Sequence, residues 1–163
     1  MENLVIRRIE ERDYEKVIRM AVDVWSTRSD EYLVEKKYGV PVLDSRTRDN
    51  HFAEISKDIL TERPEAVLVS EVGGEVVGFI SFSIDEESKI GNIGYNAVKD
   101  RYRGKGIGTT QLTRVLEVFK QRGMRFARVY VWLDDQHAPA RRMYERCGFK
   151  PLVEHATLVC ILE

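Results

Sequence analysis

Cysteine is scarce in this chain: Cys147 and Cys160 are the only two, both late, and no Cys-x-x-Cys occurs. That excludes a disulfide framework, and the apolar neighbours of both residues point to buried thiols in a reducing compartment. An excess of one charge is missing too. Lys plus Arg number 26 and Asp plus Glu 27, so the net charge is −1 and gives no global attraction to nucleic acid or an anionic membrane. No apolar run approaches the ~18 residues of a membrane span. The opening Met-Glu-Asn-Leu-Val-Ile-Arg-Arg lacks the apolar stretch of a signal peptide. Repeats, low-complexity tracts and Pro/Gly/Ser linkers are absent as well. The expectation is one cytoplasmic domain over residues 1–163, long enough to bury a core unaided, with no nucleic-acid and no membrane partner. His51 and His155 have no companions at metal-ligand spacing, so no metal is expected. The absence of Gly-x-Ser-x-Gly speaks against a serine hydrolase.

What is present is periodic. Residues 4–9 read as a strand. Asp13 stands where it can cap a helix whose apolar face is Val17, Met20, Ala21, Val24 and Trp25. The pattern weakens over residues 26–50, where Gly39 and Pro41 break any helix. Phe52, Ile55 and Ile59 mark a second amphipathic helix, ended by Arg63-Pro64. Residues 66–72, 76–84 and 90–98 read as three strands of an antiparallel meander, the first turn at Gly73-Gly74. A helix carrying Leu112, Val115, Leu116 and Phe119 follows and stops at Gly123. A strand over 126–133, a helix over 138–146 ended by Gly148, and one or two closing strands over 149–163 complete the chain. Strand, helix, strand demands a crossover, so the class is α/β with a mixed, mostly antiparallel sheet flanked by helices.

The informative segment lies between the fourth strand and the next helix. Gly104, Gly106 and Gly108 fall within five residues, with Arg101, Arg103 and Lys105 among them. Glycines there let the backbone approach a ligand, and free N–H groups at a helix start attract anions. The loop therefore reads as a phosphate or pyrophosphate cradle. It lacks the Gly-Lys-Ser/Thr of a nucleotide P-loop and does not open a Rossmann unit.

Arg103, Gly106 and Gly108, preceded by Ala97-Val98 and followed by Ala140, Tyr144 and Gly148-Phe149, resemble the GNAT superfamily of acyl-CoA N-acyltransferases. The likeness covers nearly the whole chain and is strongest over residues 93–149. It implies a GNAT-like sheet and an N-acetyltransferase that moves the acetyl group of acetyl-CoA to a primary amine of a small molecule or peptide by direct attack. The resemblance puts the pyrophosphate on Arg103, Gly104, Lys105, Gly106, Ile107, Gly108 and Thr109. It puts the pantetheine arm along Ala97 and Val98, beside Asn96, with one of these strand amides polarising the thioester carbonyl. Tyr144 matches the tyrosine that faces the thioester sulfur and serves as the catalytic proton or hydrogen-bond donor. His137 replaces the asparagine usual seven residues before that tyrosine and retains a donor toward the cofactor. A homodimer is a habit of the family.

The base stays open. Asn92 stands where some members carry Glu, Asn96 or Tyr95 can orient a water, and Glu71 and Asp85 are the carboxylate candidates. For the acceptor, the resemblance points to residues 26–50, whose Asp30, Glu31, Glu35 and Asp44 are offset by Lys36, Lys37, Arg46 and Arg48, so that the stretch reads as a solvated face; Tyr32 can line an acceptor pocket, as can Trp25 and Phe52, which read first as core. Arg141, Arg142 and Arg146 form a basic helix edge facing the 3′-phosphate of CoA or solvent. The departures at Asn92 and His137 keep an alternative alive, a non-catalytic acyl-CoA-binding regulatory module. A nucleotide-binding protein is the third option.

Overall fold

The β-rich runs pair into one five-stranded sheet in the order β1-β2-β3-β4-β5. This computed structural model describes residues 3–154, 156–160 and 162, apart from the side chains of Phe52 and Ile55. The readings placed on His155 and on the Phe52 ring fall outside the described residues. β1 (Leu4–Arg8), β2 (Val67–Val72), β3 (Glu75–Asp85) and β4 (Ile90–Val98) pair antiparallel, whereas β5 (Phe126–Val129) runs parallel to β4. Gly73 and Gly74 turn the β2–β3 hairpin with φ of 58° and 80°, the positive pair that matches the twist of its strands. The parallel step needs a crossover, which α4 (Ile107–Gln121) provides.

Apolar layers cover both faces of the sheet. On one, α1 (Tyr14–Trp25) and α3 (Ser45–Glu62) bury Val17, Met20, Ala21 and Leu60 against Val67, Val69, Val76, Phe79 and Ala97. On the other, α4 and α5 (Ala138–Arg146) bury Leu112, Val115, Phe119 and Tyr144 against Leu68, Ile80 and Ile93. Each such side chain contributes roughly 1.5–3 kcal/mol by leaving water. Gly91 allows α4 its close approach, because a Cβ there would run into the Phe119 ring. Gly91→Ala should therefore lower stability by about 1–3 kcal/mol, the usual cost of overpacking. Urea unfolding checks this, and an unchanged midpoint would mean that α4 can shift freely.

Several expectations are corrected. Asp13 precedes α1 but makes no side-chain cap; its carboxylate accepts from Arg7 at 2.6 and 3.1 Å and from the Glu10 N–H at 3.0 Å. Burial pushes Asp13 up, yet these hydrogen bonds hold its pKa below the usual carboxylate value. The weak stretch 26–50 holds a whole helix, α2 (Asp30–Tyr38), which Gly39 ends at φ 70°, and the first turn of α3. Glu35 and Asp44 serve that local structure. Glu35 accepts from the Val42 and Leu43 N–H groups and pairs with Arg48, and Asp44 caps α3 at the Thr47 N–H. β5 ends at Val129, four residues short of expectation, because its partner strand turns away. No closing strand forms among the described residues after 149, and Leu152, Leu158 and Leu162 are exposed. Cys160 is exposed as well, against the expectation of two buried thiols.

Candidate active site

An extra residue in β4 builds the site. Ile80 pairs with Asn96 and Phe82 with Ile93, so Gly94 and Tyr95 together oppose Ser81. The Ser81 hydroxyl fills the gap in the ladder by accepting from the Tyr95 N–H at 2.9 Å. Such a bulge flips every later side chain to the other face. Ile93 packs under α4, whereas Tyr95 and Ala97 pack under α1. Asn96 is thereby turned toward α5, and its side-chain amide donates to the Tyr144 hydroxyl at 2.8 Å. Pairing with β5 stops at Ile93, so the β5-facing backbone edge of residues 94–98 lies open in a splay between the strands.

The chain leaves β4 through a short 3-10 turn (Asp100–Tyr102) and enters the glycine loop. Gly104 and Gly106 take φ of 74° and 82°, a region closed to most residues, and Gly106 is the N-cap of α4. Among the described residues, the N–H groups of 104–109 have no acceptor within the chain. Gly108 sits so near α5 that a Cβ would stand 3.0 Å from the Met143 sulfur. Loop, splay and α5 enclose a cavity of about 420 Å³. Its walls include Asn96, Ala97, Val98, Arg103, Gly104, Gly106, Ile107, Gly108 and Thr109, all anticipated from sequence. Four arginines, Arg28, Arg103, Arg142 and Arg146, line it, and among the described residues no carboxylate does. Free amides at a helix start and four guanidinium groups suit a polyanion, and an open strand edge beside them suits an extended arm.

Tyr144 is bonded to Asn96 but is not itself among the residues that line the cavity. It is 5% exposed, packs on Phe149 at 5.6 Å between ring centroids, and has its pKa pushed up to about 12 by burial, partly offset by the Asn96 hydrogen bond. The phenol therefore keeps its proton throughout the neutral range.

Other expected residues stand elsewhere. The His137 Nδ1 lies 2.7 Å from Asp134, and its ring packs on Trp132 at 5.4 Å, so it does not form the cavity wall. Asp134 is held low by that partner, against the opposing effect of burial. Lys105 sits over the Tyr102 ring at 5.2 Å rather than in the cavity. Arg141 donates to the carbonyls of Trp132 and Asp134, leaving Arg142 and Arg146 as the basic edge that reaches the cavity. Both carboxylate base candidates are occupied. Glu71 pairs with Arg7 at 2.8 Å, and Asp85 accepts from the Glu87 and Ser88 N–H groups in the β3–β4 turn. Asn92 accepts from Arg128. Trp25 packs in the core on Phe79 and Tyr95, which takes Tyr95 out of the site, and Arg48 covers Tyr32.

Sequence reading missed Arg28 and Gln111. Gln111 lies at an apolar position of α4, is 1% exposed, and leaves its amide nitrogen without a partner beside Gly78. A polar residue within an otherwise apolar stripe was the available signal.

Arg101 also stands apart from the loop. It joins Lys99 and the Tyr102 hydroxyl on Glu75, at 2.5, 2.8 and 2.9 Å, and ties the β2–β3 hairpin to the loop entrance. These donors lower the Glu75 pKa to about 2. A folded pKa below the unfolded value of about 4.3 means support that is full above that pH and lost as pH falls toward 2. Denaturant titrations from pH 6 to 2 should show the unaltered chain losing stability more steeply than Glu75→Gln. Parallel curves would mean that the cluster is screened by solvent.

Residues 22–149 match the Acetyltransferase (GNAT) family. A protein of Archaeoglobus fulgidus named "Uncharacterized N-acetyltransferase" is 31% identical over 144 residues, covering 85% of this chain and 88% of its own. An N-alpha-acetyltransferase of Sulfurisphaera tokodaii is 33% identical over 101 residues, covering 56% of this chain and 60% of its own. The PaiA N-acetyltransferase of Thermoplasma acidophilum, solved with coenzyme A, superposes with a TM-score of 0.69 at 21% identity, over 91% of this chain and 90% of that one. AAC(6')-Iy, solved with a CoA-linked bisubstrate analog, gives 0.69 at 12% identity over 99% and 100%. At these identities the structural likeness is one of fold.

Proposed function

The chain belongs to the GNAT family of acetyltransferases, and from that membership we propose how its cavity serves acetyl transfer. The protein is an acetyl-CoA-dependent N-acetyltransferase. We assign the amides of residues 104–109 to the pyrophosphate, with Arg103, Arg142 and Arg146 adding charge. Arg103 itself is braced, donating to the Val98 carbonyl at 2.9 Å and pairing with Asp100. The open edge at Ala97 and Val98 takes the pantetheine arm by strand-like pairing. Acetyl-CoA supplies a thioester whose carbonyl accepts the amine and whose sulfur leaves as a thiolate, with a pKa of about 8.5 by analogy with cysteine.

Tyr144 is the residue assigned to that sulfur. Asn96 occupies a lone pair of its oxygen, which leaves the phenolic hydrogen to point toward the splay. Full proton transfer from a phenol near pKa 12 to such a thiolate is uphill, so Tyr144 acts as a hydrogen-bond donor that steadies the leaving group. Among the described residues no carboxylate lines the cavity, and we assign the proton of the attacking amine to solvent at the open mouth of the splay. The acceptor is a primary amine of a small molecule or peptide. His137 and Lys105 take supporting places, His137 by fixing the turn before α5 and Lys105 by presenting charge at the loop rim. Residues 1–163 form one acetyltransferase unit, and the cytoplasm, where acetyl-CoA is available, is its compartment. Among the described residues no helix is long and apolar enough to cross a membrane.

The observation that carries this reading is the run of unpaired amides over residues 104–109, five of which line a cavity with four arginines and, among the described residues, no carboxylate. Calorimetric titration with acetyl-CoA, followed by thiol release against pooled amines, tests it. Binding with amine-dependent release is expected. Binding that no amine alters would favour the regulatory module, and no binding would remove the reading of the loop. A second copy of the chain is the partner we assign to the unpaired edge of β5, where Phe126 and Tyr130 are exposed. Native mass spectrometry should report a dimer.

A further inference from the structure

Three of the four cavity arginines belong to the loop and α5. The fourth, Arg28, comes from the opposite wall, just past the end of α1, where its N–H donates to the Trp25 carbonyl at 2.9 Å. Its side chain is half-buried and makes no hydrogen bond or ion pair among the described residues. A guanidinium removed from water without an acceptor is costly, and native structures rarely leave one so. The carboxylates that face it are already engaged. Asp100 pairs with Arg103 at 2.9 Å and Asp134 with His137 at 2.7 Å. Burial first, and then the like charge of Arg103, lower its pKa, while Asp134 and Asp100 oppose that. Arg28 and Arg103 thus both line one cavity, and the carboxylates near Arg28 are each engaged by another side chain.

Its position along the cavity narrows the ligand. The charges that act on Arg28 belong to Asp100 and Arg103, just beyond the end of β4, and to Asp134, beyond the end of β5. Arg28 shares the cavity wall with the glycine loop, Arg103, Arg142 and Arg146, the groups assigned to the diphosphate. A guanidinium offers the planar fork that binds phosphate oxygens in pairs.

We propose that Arg28 is a phosphate-binding residue that reaches from the α1–α2 corner across the cavity to the diphosphate of the acyl donor. The inference rests on the acetyl-CoA reading above.

The test compares acetyl-CoA, by calorimetry, with S-acetylpantetheine, which lacks the diphosphate, by ligand-observed NMR at millimolar concentration. Arg28→Ala should weaken acetyl-CoA by about ten- to a hundredfold, the loss expected for a hydrogen bond to a charged group. S-acetylpantetheine should bind both chains alike, and Arg28→Lys should recover part of the loss. The melting temperature without ligand should not fall, since the side chain has no partner to lose. Equal acetyl-CoA affinity in the variant and the unaltered chain would overturn the proposal. So would an equal loss for both ligands, which would indicate a general disturbance of the wall. A raised KM for the amine with donor affinity unchanged would move Arg28 to an anionic acceptor group and overturn it too. Failure of the unaltered chain to bind acetyl-CoA would instead remove the acetyltransferase reading, and this inference with it.

Discussion

Tyr144→Phe should lower kcat on the order of 100-fold, within the range for loss of one hydrogen-bond donor to developing charge, while acetyl-CoA affinity stays close to that of the unaltered chain. The separation follows from where the hydroxyl stands. It is bonded to Asn96 on β4, whereas the amides assigned to the pyrophosphate lie in the loop at the start of α4. The hydrogen bond to sulfur becomes strong only as negative charge develops there, so its removal affects the barrier and not the ground state. The ring that packs on Phe149 and within the α4–α5 layer is retained in the variant. What folding loses is the acceptor for the Asn96 amide, worth about 1 kcal/mol. Stopped thiol-release assays and calorimetry on one preparation separate the two effects. An unchanged kcat would make Tyr144 a packing residue and would favour a binding module over an enzyme.

Legibility in the sequence followed the range of the forces involved. Periodicity located α1, α4, α5 and β1 to β4 almost to the residue, because each buries a continuous apolar face against one layer. The glycine loop was readable since positive φ at Gly104 and Gly106 favours a residue without Cβ. Hidden from the sequence was everything set by partners far along the chain. The bulge at Gly94-Tyr95 exists because Ser81 of the neighbouring strand fills the gap, and it alone decides that Asn96 meets Tyr144. β5 stops early for the same reason. Glu71 looks like a free carboxylate until Arg7, 64 positions away, closes on it. Arg28 stood in a stretch whose mixed charges suggested a solvated face, and only the fold turns it toward a cavity.

Gly106→Val should raise the acetyl-CoA dissociation constant by roughly 100-fold. Gly106 holds φ 82°, where a β-branched residue is strained by about 1–2 kcal/mol. Relief of that strain rotates the peptide units on either side, and with them amides that face the cavity; each hydrogen bond lost to a charged group costs about 1.5–3 kcal/mol. One or two such bonds, about 2.8 kcal/mol, are a hundredfold in affinity. Gly106→Asn supplies the control, because asparagine tolerates the left-handed region and should keep most of the affinity. The two variants place side chains of similar size at the same exposed position, so a difference between them reports backbone geometry rather than bulk. Nothing stands within 4 Å of a Cβ built there, so collision cannot account for the valine effect. If both variants bind as tightly as the unaltered chain, the amides at the start of α4 are not what holds the diphosphate, and the arginines must do so alone. If both lose affinity equally, the loop admits no side chain once the ligand is bound, which would place the diphosphate directly against Gly106.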